Sequence, residues 1–367
     1  MTVYYLPIEP LNERYTEQWY RWFPAEFRRQ GAECVVIDGE PLLADEIRVG
    51  TFLDINSTLH YKAEQLKKVA DLFHRNLVKA GDSFFVADVE FFGVEAIRYL
   101  SVLNKVPVKL VGFVHAGSYT RGDFMEPCIP FARYYEKAWG EVFDILCVGS
   151  EYHRQSLCTL RLTDSAARKV VVTGNPYFLE EIQTHERSVR IQQKAHHLFP
   201  LIIHSNRPDP EKEPKKALYI FSLLARRNPD WRFAVCTSRK QWASGELRDA
   251  ALSMLQPGRF DVYEGLSKNA YLDLLVDSTV MLSCSPEENF GYCILEAAAL
   301  GCMPVLKNCA SHPEILGDEF SNLLYSTAGD AVEVIEKAVA NPQPTQIAKV
   351  AEKYKDSLSR IVSLCLP

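Results

Sequence analysis

The chain has 367 residues, 47% of them hydrophobic and 24% charged, enough for two or three ordinary globular domains with ample apolar core. A formal net charge of −6 excludes a protein coated in positive charge, while leaving room for a local basic patch. Ten cysteines form no Cys-x-x-Cys pair and no Cys/His cluster at zinc-site spacing, so they read as free, buried thiols in a reducing compartment, and no metal site is expected.

The opening MTVYYLPIEP lacks a basic stretch followed by an apolar core, so it does not read as a secretory signal. No apolar run reaches the ~18 to 20 residues that cross a bilayer. The expectation is a soluble protein of the cytoplasm with no membrane partner.

In chain order, VYYL (3–6) reads as a strand. A helical stretch from about 14 to 30 follows, which Pro24 is expected to bend or divide. Then come CVVI (34–37), a helix over 60–79, FFVAD (84–88), VKLVGFVH (108–115), ILCVGS (145–150), a helix over 151–160 and KVVVTGN (169–175). The apolar runs are near-continuous rather than alternating, as in strands buried on both faces of a parallel sheet. A polar, basic stretch without strand signal, THERSVRIQQKAHHLF, occupies 184–199. A second series follows: LIIHSN (201–206), RFAVCTS (232–238), FDVYEG (260–265), TVMLSC (279–284), MPVLKN (303–308) and NLLYST (322–327). From about 329 to 365 the pattern is helical, broken near NPQP (341–344).

Two blocks of alternating strands and helices predict an α/β chain of two Rossmann-like, doubly wound domains with a cleft between them. The domains span 1–183 and 184–340, and a C-terminal helical segment, 341–367, packs back toward the first. Ligands of such sheets sit beyond the carboxyl ends of the strands. That singles out Asp88, His115, Ser150, Asn175, Arg207, Gly265 and Glu288.

The stretch SPEENFGYCILEAAALGCMPV (285–305) carries the clearest constellation. Glu288 falls in the loop after a strand, and Glu296 about one and a half turns into a helix that Gly301 ends. Backbone N–H groups near Phe290 and Gly291 mark the helix N-terminus, which attracts anions. A carboxylate matches a vicinal diol, two hydroxyls donating to two oxygens. A nucleotide sugar has diols at both ends and a diphosphate between them. HSNRPDPEKEPKK supplies cations for that diphosphate in Arg207 and Lys212, with Lys215 and Lys216 beyond.

This stretch resembles the E-x7-E signature of retaining GT-B glycosyltransferases, a large nucleotide-sugar-dependent family. SNRPDPEK resembles the family's Arg-x4-Lys phosphate clamp, and YEGLSKNAYLDLLVDSTVMLSCS its approach to the signature. NCASHPEIL stands where the family has a Gly-Gly-x-Pro-Glu turn, with Ala310 and Ser311 in place of the glycines. GFVHAG puts His115 where the family keeps a histidine. The likeness runs over roughly 108–327 and is strong over 201–327. The N-terminus departs from it, having no glycine from 1 to 30.

The resemblance implies a GT-B fold with an acceptor-binding first domain and a donor-binding second domain. It implies Glu288, Arg207, Lys212 and His115 as the catalytic set. Glu288 would bind hydroxyls of the transferred sugar, and the two cations would neutralise the leaving diphosphate. Glu296 would hold the ribose, with Asn289, Phe290, Gly291, Gly265 and Asn175 completing the donor site. It also implies retention with front-side attack, a nucleotide-diphosphate sugar as co-substrate, and no required cofactor or metal.

YYLPIEPLNERYTEQWYRWFPAEFRRQG resembles the opening of phage-encoded glycosyltransferase-like proteins, and the second block is also similar to tRNA-queuosine mannosyltransferases. Both point to a nucleobase hydroxyl, a hydroxymethylated pyrimidine in phage DNA being the leading expectation, in the host cytoplasm. A modified tRNA base, and a small-molecule, lipid or polysaccharide acceptor, are the alternatives. A non-catalytic nucleotide-sugar or nucleic-acid binder is the rival class. Asp88, Glu90, Arg14, Tyr15 and Arg121 are the candidate acceptor residues.

Cations mixed with aromatics over 14–29, Trp19 and Trp22 included, suit a stacking nucleic-acid surface. Arg187, Arg190, Lys194, His196 and His197 add a basic stretch. Duller readings stand beside these. Glu288 is a solvated loop charge, Glu296 pairs with a neighbouring helix, and His115 is a core histidine. Asp88 and Glu90 start a helix, Trp19 and Trp22 are core, and Lys212 faces solvent. The oligomeric state is open.

Overall fold

A computed structural model describes residues 1–11, 14–42, 54–193, 199–237, 249, 253 and 259–367. The chain forms two compact units, Met1–Tyr177 with Asp356–Pro367, and Phe178–Lys355. Residues 341–355 thus group with the second unit, and only the last turns of the 341–367 segment with the first.

The first unit is built on six parallel strands: β1 (Thr2–Leu6), β2 (Glu33–Val36), β3 (Ser83–Val86), β4 (Lys109–Val114), β5 (Ile145–Val148) and β6 (Val170–Val172). Their order is β2-β1-β3-β4-β5-β6, so the winding reverses between β1 and β3. Neighbouring residues of β1 feed opposite layers. Tyr4 stacks on Phe84, which stacks on Phe73. Tyr5 faces Phe23 and Phe85 on the other side. Burial on both faces is why these strands read as continuous apolar runs.

Helix Tyr15–Arg29 covers the Tyr5 face with Trp19, Trp22, Phe23 and Phe27, all buried. This corrects the stacking-surface reading, because Trp19 is packed against Phe23 and Phe113. Arg28 and Arg29 are exposed and bond along their own helix, to the carbonyl of Pro24 and the carboxylate of Glu26. Pro24 lies inside this helix without dividing it. The C-terminal helix Ser357–Cys365 closes the unit, with Gln30 Nε2 donating to Ser359 O at 3.0 Å and Lys109 Nζ to Leu366 O at 2.6 Å.

The second unit holds β7 (Leu201–His204), β8 (Arg232–Thr237), β9 (Phe260–Glu264), β10 (Val280–Ser283), β11 (Met303–Lys307) and β12 (Leu324–Tyr325). They are again parallel, in the order β12-β11-β10-β7-β8-β9, and the winding reverses between β7 and β10. The expected basic stretch is partly internal. Arg187 is buried and donates to Asp273 and Asn269, and Arg190 pairs with Asp273 and Asp277. Lys194, His196 and His197 lie outside the described residues. Among the described residues no helix is long and apolar enough to cross a membrane. All ten cysteines are free, half of them fully buried.

Candidate functional site

At the reversal point of the second sheet, the loops after β7 and β10 lie together. Ser285 Oγ donates to Glu287 O at 2.6 Å and to Glu211 O at 3.3 Å, tying one loop to the other. Across this junction Lys212 Nζ donates to Glu288 Oε2 at 2.9 Å, with only 14% and 19% of the two side chains exposed. Neither residue is the solvated surface charge of the duller reading. Arg207 is held by Asp209 at 2.9 Å and Glu211 at 3.1 Å. Burial works to raise the Glu288 carboxyl, but the Lys212 ammonium outweighs it, aided by His312 and Arg207, and holds it below the usual range. Burial likewise works to lower Lys212, and the Glu288 charge raises it above the usual ammonium value.

Gly291 caps helix Tyr292–Ala299 at φ +83°, a backbone conformation side chains rarely adopt. A Cβ there would also stand 2.7 Å from Ile294 Cδ1 and 3.2 Å from Glu288 Cγ, so the glycine fixes how Glu288 enters the loop. Phe290 is buried against Tyr292 and Tyr354. Asn289, between Glu288 and Phe290, is half-buried. Glu296, nearly fully buried, accepts a short hydrogen bond from Lys268 on helix Lys268–Asp277. The neighbouring-helix pairing is therefore present. Gly265, at φ +66°, is exposed at the end of β9.

The turn at 309–312 takes a left-handed backbone without a glycine. Ala310 takes φ +51°, and Ser311 N donates to Glu288 O at 3.2 Å. The left-handed region costs a side-chain-bearing residue about 1–2 kcal/mol. Ala310→Gly is expected to stabilise the second unit by about 1 kcal/mol, seen as a higher denaturant midpoint. An unchanged or lower midpoint would show that the turn is not strained at Ala310.

In the first unit the reversal point lies between β1 and β3. Lys62 is nearly fully buried. Its ammonium donates to Asp88 Oδ2 at 2.6 Å and also to Glu90 O. Glu90 N donates to Asp88 Oδ1 at 3.1 Å, so the turn after β3 closes around one cation. The Glu90 side-chain atom Oε1 is buried without a hydrogen-bond partner. Burial, with Asp88 and Asp123 adding, pushes the Glu90 carboxyl well above the usual range. His115 stands among Tyr15, Trp19 and Phe113, at ring separations of 5.7, 4.9 and 4.9 Å. Its Nε2 lies 2.9 Å from Ala87 O; a carbonyl only accepts, so this nitrogen carries the proton. Burial lowers the His115 pKa. Asn175 is buried beyond β6. Arg14 caps helix Tyr15–Arg29 and Arg121 is exposed in the turn after β4.

Two residues escaped the sequence reading. Lys62 stands in register with the apolar stripe Leu66, Val69 and Phe73, a position where an unpaired lysine is costly. Lys268 follows the N-cap Ser267 just past β9, at the carboxyl edge of the sheet. Among the described residues no group of three His, Cys, Asp or Glu side chains could hold a metal ion.

The family model for glycosyl transferases group 1 matches residues 186–355, nearly all of the second unit. Solved structures resemble the whole chain. Sucrose-phosphate synthase from Thermosynechococcus elongatus superposes with a TM-score of 0.66 at 13% identity, over 100% of this chain and 95% of that one. The lipopolysaccharide outer core galactosyltransferase WaaB gives 0.65 at 14% identity, over 100% and 99%. The chain has the GT-B fold. TarM of S. aureus, bound to UDP and α-GlcNAc-glycerol, gives 0.54 at 14% identity, and the likeness spans 84% of this chain but 58% of TarM. The tRNA-queuosine alpha-mannosyltransferase of Drosophila melanogaster is 27% identical over 143 residues, 39% of this GT-B chain and 36% of that protein.

Proposed function

We propose that the chain is a retaining glycosyltransferase that moves a sugar from a nucleotide-diphosphate sugar to an acceptor hydroxyl. The observation that carries this reading is the Lys212–Glu288 pair beside Arg207, at the winding reversal of a domain that matches glycosyl transferases group 1. Arg207 and Lys212 bind the diphosphate, and Glu288 and Glu296 accept from the hydroxyls of the sugar and the ribose. Lys212 and Glu288 satisfy one another; a donor would divide them, the cation turning to phosphate and the carboxylate to hydroxyls. As the bond from sugar C1 to the phosphate oxygen breaks, its electron pair stays on that oxygen, where Arg207, Lys212 and the N–H groups beside Gly291 stabilise it. The acceptor oxygen bonds C1 on the same face, and its proton passes to the departing phosphate.

For the acceptor, we favour a neutral hydroxyl, such as that of a sugar or polyol, over a polyanion. The turn after β3 offers few cations to phosphodiesters. Lys62 is taken up by Asp88, Arg161 pairs with Glu136, and burial pushes the Glu90 carboxyl well above the usual range. Several relatives act on sugars by name, sucrose-phosphate synthase and WaaB among them. The second reading, a modified base of tRNA, is favoured by the mannosyltransferase likeness. A phage-DNA acceptor has only the N-terminal resemblance behind it, and Trp19 and Trp22 there are core.

The test is incubation with UDP- and GDP-sugars and three acceptor classes: sugars, total tRNA and hydroxymethylated DNA. Mass spectrometry is expected to find a sugar added to a saccharide or polyol. Addition to tRNA or DNA alone would overturn the acceptor reading, and no transfer or nucleoside diphosphate release with any donor would overturn the whole.

A further inference from the structure

Glu296 lies on helix Tyr292–Ala299 between Leu295 and the fully buried Ala297, Ala298 and Ala299. Only 6% of its side chain is exposed, and a carboxylate so placed requires a cation or several hydrogen bonds to stay charged. Lys268 meets that need, donating to Glu296 Oε1.

The placement of Lys268 is fixed from three directions. Ser267 caps its helix, accepting from Ala270 N at 3.2 Å. The Lys268 ammonium stands 5.2 Å from the centre of the Tyr271 ring. Arg187 clamps the same helix, donating to Asn269 Oδ1 at 3.1 Å and to Asp273 at 3.0 Å. A buried guanidinium with that many partners makes a rigid mount. The ammonium therefore arrives at Glu296 from a helix that has little freedom to move.

We infer that Lys268 is a positioning residue of the donor site, holding the Glu296 carboxylate oriented for the ribose diol of a nucleoside diphosphate. The inference rests on the donor reading above and deepens it. A carboxylate matches the diol when its two oxygens face the two hydroxyls. Without the ammonium of Lys268, nothing on that helix holds the oxygens in that direction, and the diol meets a worse-placed partner.

The experiment is calorimetric titration of the full chain with UDP, GDP and ADP, for the unsubstituted protein, Lys268→Met, Lys268→Gln and Lys268→Arg, beside the thermal midpoint of each. The quantity read is the ratio of variant to unsubstituted Kd. For both neutral variants the ratio is expected to be about tenfold, the loss of one charged hydrogen bond. Lys268→Arg should return it to within about threefold of unity. A residue that merely stabilised the fold would lower the midpoint and leave the ratio near unity. A ratio near unity in both neutral variants, or one that Lys268→Arg does not restore, overturns the inference while leaving the donor reading intact. If the unsubstituted chain binds none of the three nucleotides, the donor reading falls and this inference with it.

Discussion

Glu288→Gln is expected to lower the rate of sugar transfer about a hundred- to a thousandfold, the usual loss when one preorganised polar partner of the transition state is removed. The substitution keeps the shape and a carbonyl acceptor, and removes the charge. Lys212 then faces an amide in a largely buried position, so its ammonium loses the partner that fixed its direction. The damage should appear in kcat more than in donor affinity, because ribose and diphosphate contacts survive. The same substitution has a signature in stability. Glu288 is held below its ordinary value, so the pair's contribution is present above the carboxyl's unfolded pKa and is lost as pH falls through the lowered one. Lys212 is raised, so on the alkaline side the contribution lasts beyond the ordinary lysine value and is lost as pH rises through the raised one. From pH 7 down to pH 3, the unsubstituted chain should lose more of its thermal midpoint than Glu288→Gln does. Full transfer activity in Glu288→Gln, or parallel acid profiles, would contradict the assignment.

Removing either cation should be comparably severe and differently distributed. Arg207→Ala is expected to raise the nucleoside diphosphate Kd about ten- to a hundredfold and to cut kcat about a hundredfold or more. Arg207 is already oriented by Asp209 and Glu211, so the protein has spent two carboxylates on placing one guanidinium. Asp209 is itself fully buried, and losing its cation leaves a buried charge to be relieved by movement of the loop. Arg226→Ala, at the exposed end of helix Pro214–Arg227, is the control for loss of a positive charge alone. Equal, small effects of the two substitutions on Kd would mean that Arg207 does not touch phosphate.

The architecture was readable in the sequence because two-faced burial leaves continuous apolar runs. All twelve expected strands are present, and their alternation with helices led to the right fold. What the sequence withheld is three-dimensional pairing. Lys212 carried two readings, a phosphate cation by resemblance and a solvent-facing lysine among EKEPKK. The structure buries Lys212 against Glu288, 76 positions away. Lys62 and Lys268 were passed over for the same reason, their partners being distant in the chain. Trp19 and Trp22 carried two readings, a stacking surface among arginines and a packed core. The core reading holds, and the spacing of Trp19, Phe23 and Phe27 is that of a helix face packed on a sheet. Ala310 takes a left-handed backbone that its residue type does not announce.

A crystal structure of the chain soaked with the nucleoside diphosphate it binds tests the account most directly. The account predicts diphosphate oxygens within about 3 Å of the Arg207 and Lys212 side-chain nitrogens and ribose hydroxyls on Glu296, with Glu288 released from Lys212. A nucleotide seated elsewhere, or a diphosphate touching neither cation, would contradict it.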